Sequence, residues 1–365
     1  MKKYIKTLCC LLSILLCLGA LAGCGDALGS TQPTVPEETL PPNVSENYKT
    51  RVDFGAKFEP KGNYILHGAG QSYTQFAGYM SVVGSELTPA ICMSYVSVHQ
   101  YYQAAGGNLL KMIEPYADAG WMFFQIGSHF NEDENPDKVY YQEIAEGILD
   151  DKLKEMITIF KNLKRPVFIR AGFEFNSECN GYTDPEIYKR AFIRFAELVD
   201  ECEAENIALV WCYNPDGAER DYMKYYPGDE YVDWWAIDIF RIGTIDLDCT
   251  KNFLREAEFH EKPVMIGEST CYTYYVQDEN AWEGWYEKYF QFVRDNPVIK
   301  ATCYINVNWE TYDPRWQGWG DSRLEAAEYG LAEKYVAELS DPIYMHAMDK
   351  ETAIKMLYDC ADYEK

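Results

Sequence analysis

The sequence predicts a (β/α)8 barrel, the TIM-barrel form of the α/β class, on three observations. Eight short apolar runs recur between Asn63 and Trp309, longer amphipathic stretches separate them, and the chain beyond about residue 50 has the length of one such barrel. Runs that are apolar on both faces belong to a parallel sheet buried on both sides. Their alternation with helical stretches supplies the covering layer, and eight such units close the sheet on itself.

The first residues read as an address. Lys2, Lys3 and Lys6 precede an apolar run from Leu8 to Leu21, too short to span a membrane comfortably and placed like the core of a signal peptide. The run ends in Leu21-Ala22-Gly23-Cys24, which resembles the lipobox of bacterial lipoproteins. That resemblance implies a lipidated Cys24 as the mature N-terminus and a protein held on the outer face of the bacterial membrane. Gly25 to about Thr50 is rich in Ser, Thr, Pro, Gly and acidic residues and reads as a tether. The expected organisation is a signal peptide over 1–23, a linker over 24–50, the barrel over 51–340 and a C-terminal helical extension over 341–365.

The formal charge of the whole chain is -25, from 58 acidic and 33 basic residues. A surface this acidic repels phosphate backbones, which excludes nucleic acid as a partner and favours neutral over anionic polysaccharides. Four of the 12 cysteines, Cys9, Cys10, Cys17 and Cys24, lie in the leader, and no CxxC pair occurs among the others. Cys92, Cys212 and Cys303 sit inside apolar runs and read as buried thiols. The histidines at 67, 99, 129, 260 and 346 show neither HxH nor HExxH spacing, so no metal site and no cofactor are expected.

The predicted strands are Tyr64–Gly68, Ala90–Val96, Trp121–Gly127, Val167–Phe175, Ala208–Tyr213, Val232–Phe240, Val264–Glu268 and Ala301–Trp309. The clearest helices between them are Tyr140–Leu163, Pro185–Glu205 and Asn280–Asp295, and Lys350–Tyr363 reads as a helix docked outside the barrel. An open doubly wound sheet is the competing architecture. It needs a glycine-rich phosphate loop that Gly68-Ala69-Gly70-Gln71 does not continue.

Barrel enzymes place their chemistry at the C-terminal ends of the strands. The polar residues there are His67, Tyr95, Gln125, Glu174, Tyr213, Asn214, Asp238, Glu268, Asn308 and Trp309. Glu174 and Glu268 are carboxylates set in strongly apolar runs, where an unpaired charge is costly. A salt bridge from Arg170, which shares strand parity with Glu174, is the structural reason to keep one. The functional reason is that the fourth and seventh strands face each other across the barrel mouth. Two carboxyl groups about 5 Å apart there suit attack on a sugar and protonation of its leaving group.

These residues resemble a known family. Arg170, Glu174 and Asn176, the segment Tyr226-Pro227-Gly228-Asp229-Glu230-Tyr231-Val232-Asp233-Trp234, Asp238-Ile239-Phe240 and Lys262-Pro263-Val264-Met265-Ile266-Gly267-Glu268 are similar to glycoside hydrolase family 26 over roughly 63–338. The resemblance implies a retaining hydrolase of neutral β-linked glycans, mannan-like or related, with Glu174 as acid/base and Glu268 as nucleophile. It also implies a stacking floor at Trp309. Gln125, Arg170, Asn176, Asn214, Asp238 and Phe240 complete the expected substrate site, and Tyr182, Trp211, Trp282, Trp316 and Trp319 are candidates for further subsites. Two positions depart from the family's mannanases, which carry His where Phe173 stands and Tyr where Phe240 stands. Those departures set the competing class, a glycan-binding surface lipoprotein that has lost turnover.

Overall fold

The computed structural model describes residues 45–99, 107–132, 137–217 and 221–364. The leader, with Cys24 and the expected lipid anchor, lies outside the described residues. Each of the eight apolar runs forms a strand: β1 Ile65–Gly70, β2 Ile91–Ser97, β3 Phe123–His129, β4 Val167–Ala171, β5 Ile207–Tyr213, β6 Trp234–Ile239, β7 Val264–Ser269 and β8 Ile299–Ile305. Neighbours pair in parallel from β1 through to β8, and β8 returns to β1 through Leu66–Ala301 to Gly70–Ile305, closing the barrel.

Strand alternation divides the core in two. Val167 and Ile169 of β4 point outward into the layer under the helices, while Phe168 and Arg170 point into the barrel. The interior continues with Leu66, Met93, Phe123, Val210, Ala236, Met265 and Cys303, all buried. Phe58 plugs its N-terminal end, edge-on to Phe168 at 5.7 Å between ring centres.

Helices cover the outside. Asp184 starts the helix Pro185–Glu201 by accepting from the backbone N–H groups of Glu186 and Ile187, with Pro185 in the first helical position. The helix predicted over 140–163 is two pieces, Tyr141–Ala145 and Asp150–Lys161, because Gly147 between them takes a left-handed conformation (φ 76°) that ends the first. The stretch predicted over 280–295 opens with a π-turn, Trp282–Tyr286, before its α-helical part, Glu287–Asp295.

Two expected boundaries need correction. The tether gives way to folded chain by Ser45, whose hydroxyl bonds Asp341, and Tyr48 is buried with its hydroxyl 3.1 Å from that of Tyr344. The last residues are not an outer appendage. Tyr344–Met345 pairs with β1, and Ala353 and Met356 of the terminal helix (Lys350–Met356), with Leu357 just after it, pack into the interior cluster with Phe58. No helix among the described residues is long and apolar enough to cross a membrane.

Candidate active site

The C-terminal ends of the strands open on a cavity of about 540 Å³ that both Glu174 and Glu268 line. They reach it differently. Strand β4 ends at Ala171, and Glu174 stands on the turn that follows, where Gly172 (φ 56°) and Glu174 itself (φ 48°) are left-handed. A side chain on residue 172 would also strike the Phe130 ring, so only glycine fits. A non-glycine residue in this region costs energy and is held there by its surroundings. Here the side-chain amide of Asn180 donates to the backbone carbonyls of Phe173 and Glu174, fixing the turn. Glu268 lies within β7 and needs no such device.

Glu174 accepts from the Asn214 amide at 2.8 Å and from the Ser177 hydroxyl at 3.3 Å, both neutral donors. Asn176 braces Asn214, donating to its carbonyl at 2.6 Å and accepting from its backbone N–H at 3.0 Å. Glu268 accepts from the Arg170 guanidinium at 2.5 Å. The other arm of that guanidinium holds Asp238 at 2.9 Å, and the Cys212 thiol donates to the same Asp238 oxygen at 3.3 Å.

This places one cation between two carboxylates inside the barrel, with Arg170 and Asp238 wholly buried. Burial opposes the charge on Arg170, but Asp238 and Glu268 together outweigh it and hold the guanidinium well above its ordinary value. Burial pushes the Asp238 carboxyl up to about 7; Arg170 opposes the rise and the Glu268 charge adds to it.

The competing explanation, a salt bridge from Arg170 to Glu174, is not what the structure forms: Arg170 pairs with Asp238 and Glu268. Parity fails as a guide because the strand stops at Ala171 and the two left-handed residues turn the chain. The structure corrects the roles expected of Gln125, Arg170 and Asp238. All three have no exposed surface and lie beneath the cavity floor, where Gln125 donates to the Gly267 carbonyl at 3.3 Å. They brace the site from below. Asn176 is likewise taken up by Asn214 and does not line the cavity. Asn214, Phe240 and Trp309 do line it, as do Tyr95, Trp316 and Trp319.

The aromatic residues form one wall. Trp309 follows β8 at the head of a short helix, its indole N–H donating to Thr270 at 3.0 Å. Trp316 and Trp319 stand 6.1 and 5.2 Å from it, and Trp319 also meets Phe240 at 5.2 Å. Trp211, Tyr182 and Trp282 are elsewhere: the first two are in the outer core and the third stacks on Tyr286. Of the remaining strand-end residues, Tyr213 packs in the outer core, His67 bonds Tyr79 and His346, and Asn308 caps the helix that begins at Trp309.

Sequence reasoning missed His129, Ser177, Arg241, Tyr272 and Arg315, which also line the cavity. His129 shares strand parity with Gln125, a signal that was available; the others lie on loops, where no periodicity applies. The His129 ring meets Phe173 at 4.5 Å, and burial, with Arg170 and Arg315 nearby, lowers it to about 3, so it is a neutral imidazole. An imidazole thus stands beside Phe173, supplied by β3. Among the described residues no cluster of His, Cys, Asp and Glu is placed to hold a metal ion.

Comparison with known proteins gives the family and the fold. The profile of glycosyl hydrolase family 26 matches residues 40–255. A beta-1,3-xylanase (TXYA) of a Vibrio species is 26% identical over 323 residues, covering 78% of this chain and 67% of that protein. A beta-1,3-xylanase of an Alcaligenes species is 26% identical over 336 residues, covering 82% and 68%. Among solved structures, a beta-mannanase from Bacteroides ovatus shares the fold with a TM-score of 0.57 at 14% identity, covering 79% of this chain and 92% of that one.

Proposed function

The chain belongs to glycosyl hydrolase family 26 and is a glycoside hydrolase, and from that premise we propose that Glu268 and Glu174 carry out a double displacement on a neutral β-linked glycan. One observation supports this reading: both carboxylates line one cavity at the C-terminal ends of the strands, Glu174 from the turn after β4 and Glu268 from β7. Glu268, which Arg170 holds at the end of β7, takes the part of the nucleophile, and Glu174, beside the Asn214 amide on the turn after β4, that of the acid/base, the strand ends at which the family's two carboxylates stand.

In the first step a Glu268 oxygen bonds to the anomeric carbon as the glycosidic C–O bond breaks. The electron pair leaves on the departing oxygen, which takes the proton of Glu174. In the second, water gives a proton to Glu174 and its oxygen bonds the anomeric carbon, returning the electron pair to Glu268. The sugar leaves with its configuration retained. Trp309, Trp316 and Trp319 supply faces on which sugar rings stack.

The named xylanases make β-1,3-xylan the first substrate to try, with β-mannan beside it. Incubating residues 45–365 with a panel of neutral β-glycans and following new reducing ends tests this reading. No release from any of them, by folded protein, sinks it and favours a glycan-binding role. We further propose that the enzyme works at the cell surface on a lipid anchor at Cys24, on the strength of Leu21-Ala22-Gly23-Cys24.

A further inference from the structure

We propose that a groove beside the barrel mouth, joined to the catalytic cavity at Gln71, binds further sugars of the glycan on the non-reducing side of the cleaved bond. The inference rests on the reading of Glu268 and Glu174 as the catalytic pair. It gives a use to Gly68-Ala69-Gly70-Gln71, the segment that opens no phosphate loop.

Gln71 follows β1 directly and stands where two spaces meet. It lines the 540 Å³ cavity of the two carboxylates and also a groove of about 650 Å³, between the helices Tyr73–Val83 and Gly107–Ile113. Tyr73, Ser94, Asn108 and Lys111 are among the groove's walls. Gly70 lets β1 lie close against β2 here, since a side chain there would strike the Met93 carbonyl.

Gln71 is only 7% exposed, and its side-chain amide has no hydrogen-bond partner among the described residues. An amide withdrawn from water and left unpaired costs stability. Sugar hydroxyls both donate and accept, so they satisfy both halves of it. Tyr73 opens its helix with 55% of its surface exposed, a ring available for the stacking that Trp309, Trp316 and Trp319 offer in the cavity.

The position of the groove says which arm of the glycan it takes. In the closed ring of eight strands β1 stands opposite β5. Glu174 and Asn214 follow β4 and β5, so the groove lies across the mouth from the acid that protonates the leaving group. With the leaving arm beside Glu174, the arm that Glu268 retains runs toward Gln71. Sugars on that arm continue past the cavity, and cleavage is internal to the chain.

The probes are β-1,3-xylo-oligosaccharides and β-manno-oligosaccharides of three and six sugars, titrated calorimetrically into Glu268→Gln protein, which binds without cleaving. The expected result is tighter binding of the hexasaccharide than of the trisaccharide in one series. Adding Tyr73→Ala cuts that advantage roughly three- to tenfold, the worth of one stacked ring, and Tyr73→Phe keeps it. Gln71→Leu weakens hexasaccharide binding by a similar factor without lowering the denaturation midpoint, because no native bond to the amide is lost. An undiminished advantage in Tyr73→Ala overturns the proposal, as does a Gln71→Leu protein that loses stability. Equal binding of short and long oligosaccharides, or none of either series, overturns the groove even where the unaltered protein cleaves them. Length-dependent binding without turnover by the unaltered protein overturns the catalytic reading and leaves the groove standing.

Discussion

Arg170 reaches from β4 across the barrel interior to hold the Glu268 carboxylate of β7 at 2.5 Å, while its other arm holds Asp238 at 2.9 Å. Two carboxylates are thus kept in an apolar interior by one guanidinium. Arg170→Met leaves both without a counter-charge, which costs on the order of 3–5 kcal/mol of stability when a buried partner is removed. Arg170→Lys recovers little of it, because a point charge cannot fork between two acceptors. Denaturant unfolding of both variants measures this. A loss within about 1 kcal/mol for Arg170→Met, the range of an ordinary substitution, shows that the pair does not brace the barrel.

The same cluster predicts a pH dependence of stability. The folded value of Asp238 lies near 7 and its unfolded value near 3.8, so the folded state binds that proton more tightly. The stabilisation is fully present below the lower value and is lost as pH rises through the upper one. Asp238→Asn does not titrate, so its stability relative to the unaltered protein rises between pH 5 and 8. Parallel unfolding curves whose separation does not change with pH contradict this assignment.

The sequence made the barrel legible because strands buried on both faces leave continuous apolar runs, and each of the eight was found. Site details were less so, for physical reasons. Parity correctly aims Arg170 inward but cannot follow the chain past Ala171, where Gly172 and Glu174 leave the strand conformation, so it does not show that the carboxylate Arg170 holds is Glu268. Gln125 and Asp238 were found at strand ends, but their depth below the floor depends on how neighbouring strands are staggered. The fold-back of the terminal helix onto Phe58 carries no local signal at all.

Glu174 depends on Asn214, whose amide donates to it at 2.8 Å. Asn214→Ala removes that donor and lowers kcat/KM roughly ten- to a hundredfold, as loss of a positioned bond to a catalytic group does. The loss is larger for substrates with poor leaving groups, which need the proton most. Equal losses for aryl glycosides of high and low leaving-group pKa contradict a role through the acid.

The anchoring proposal is tested at one atom. Cys24→Ser removes the only lipidation site that Leu21-Ala22-Gly23-Cys24 offers, and the protein leaves the membrane fraction or is no longer processed. Unchanged partitioning, with an unchanged mature mass, contradicts lipidation there.

The division of labour between Glu268 and Glu174 is tested most directly by the anomeric configuration of the products that azide forms with each alanine variant. In Glu174→Ala the first step survives for substrates with very good leaving groups, the glycosyl-enzyme accumulates, and azide replaces the activated water. The account predicts a glycosyl azide of retained configuration, read by NMR. In Glu268→Ala no covalent intermediate forms, and any azide product has inverted configuration. A retained azide from Glu268→Ala, with none from Glu174→Ala, contradicts the account and reverses the two roles.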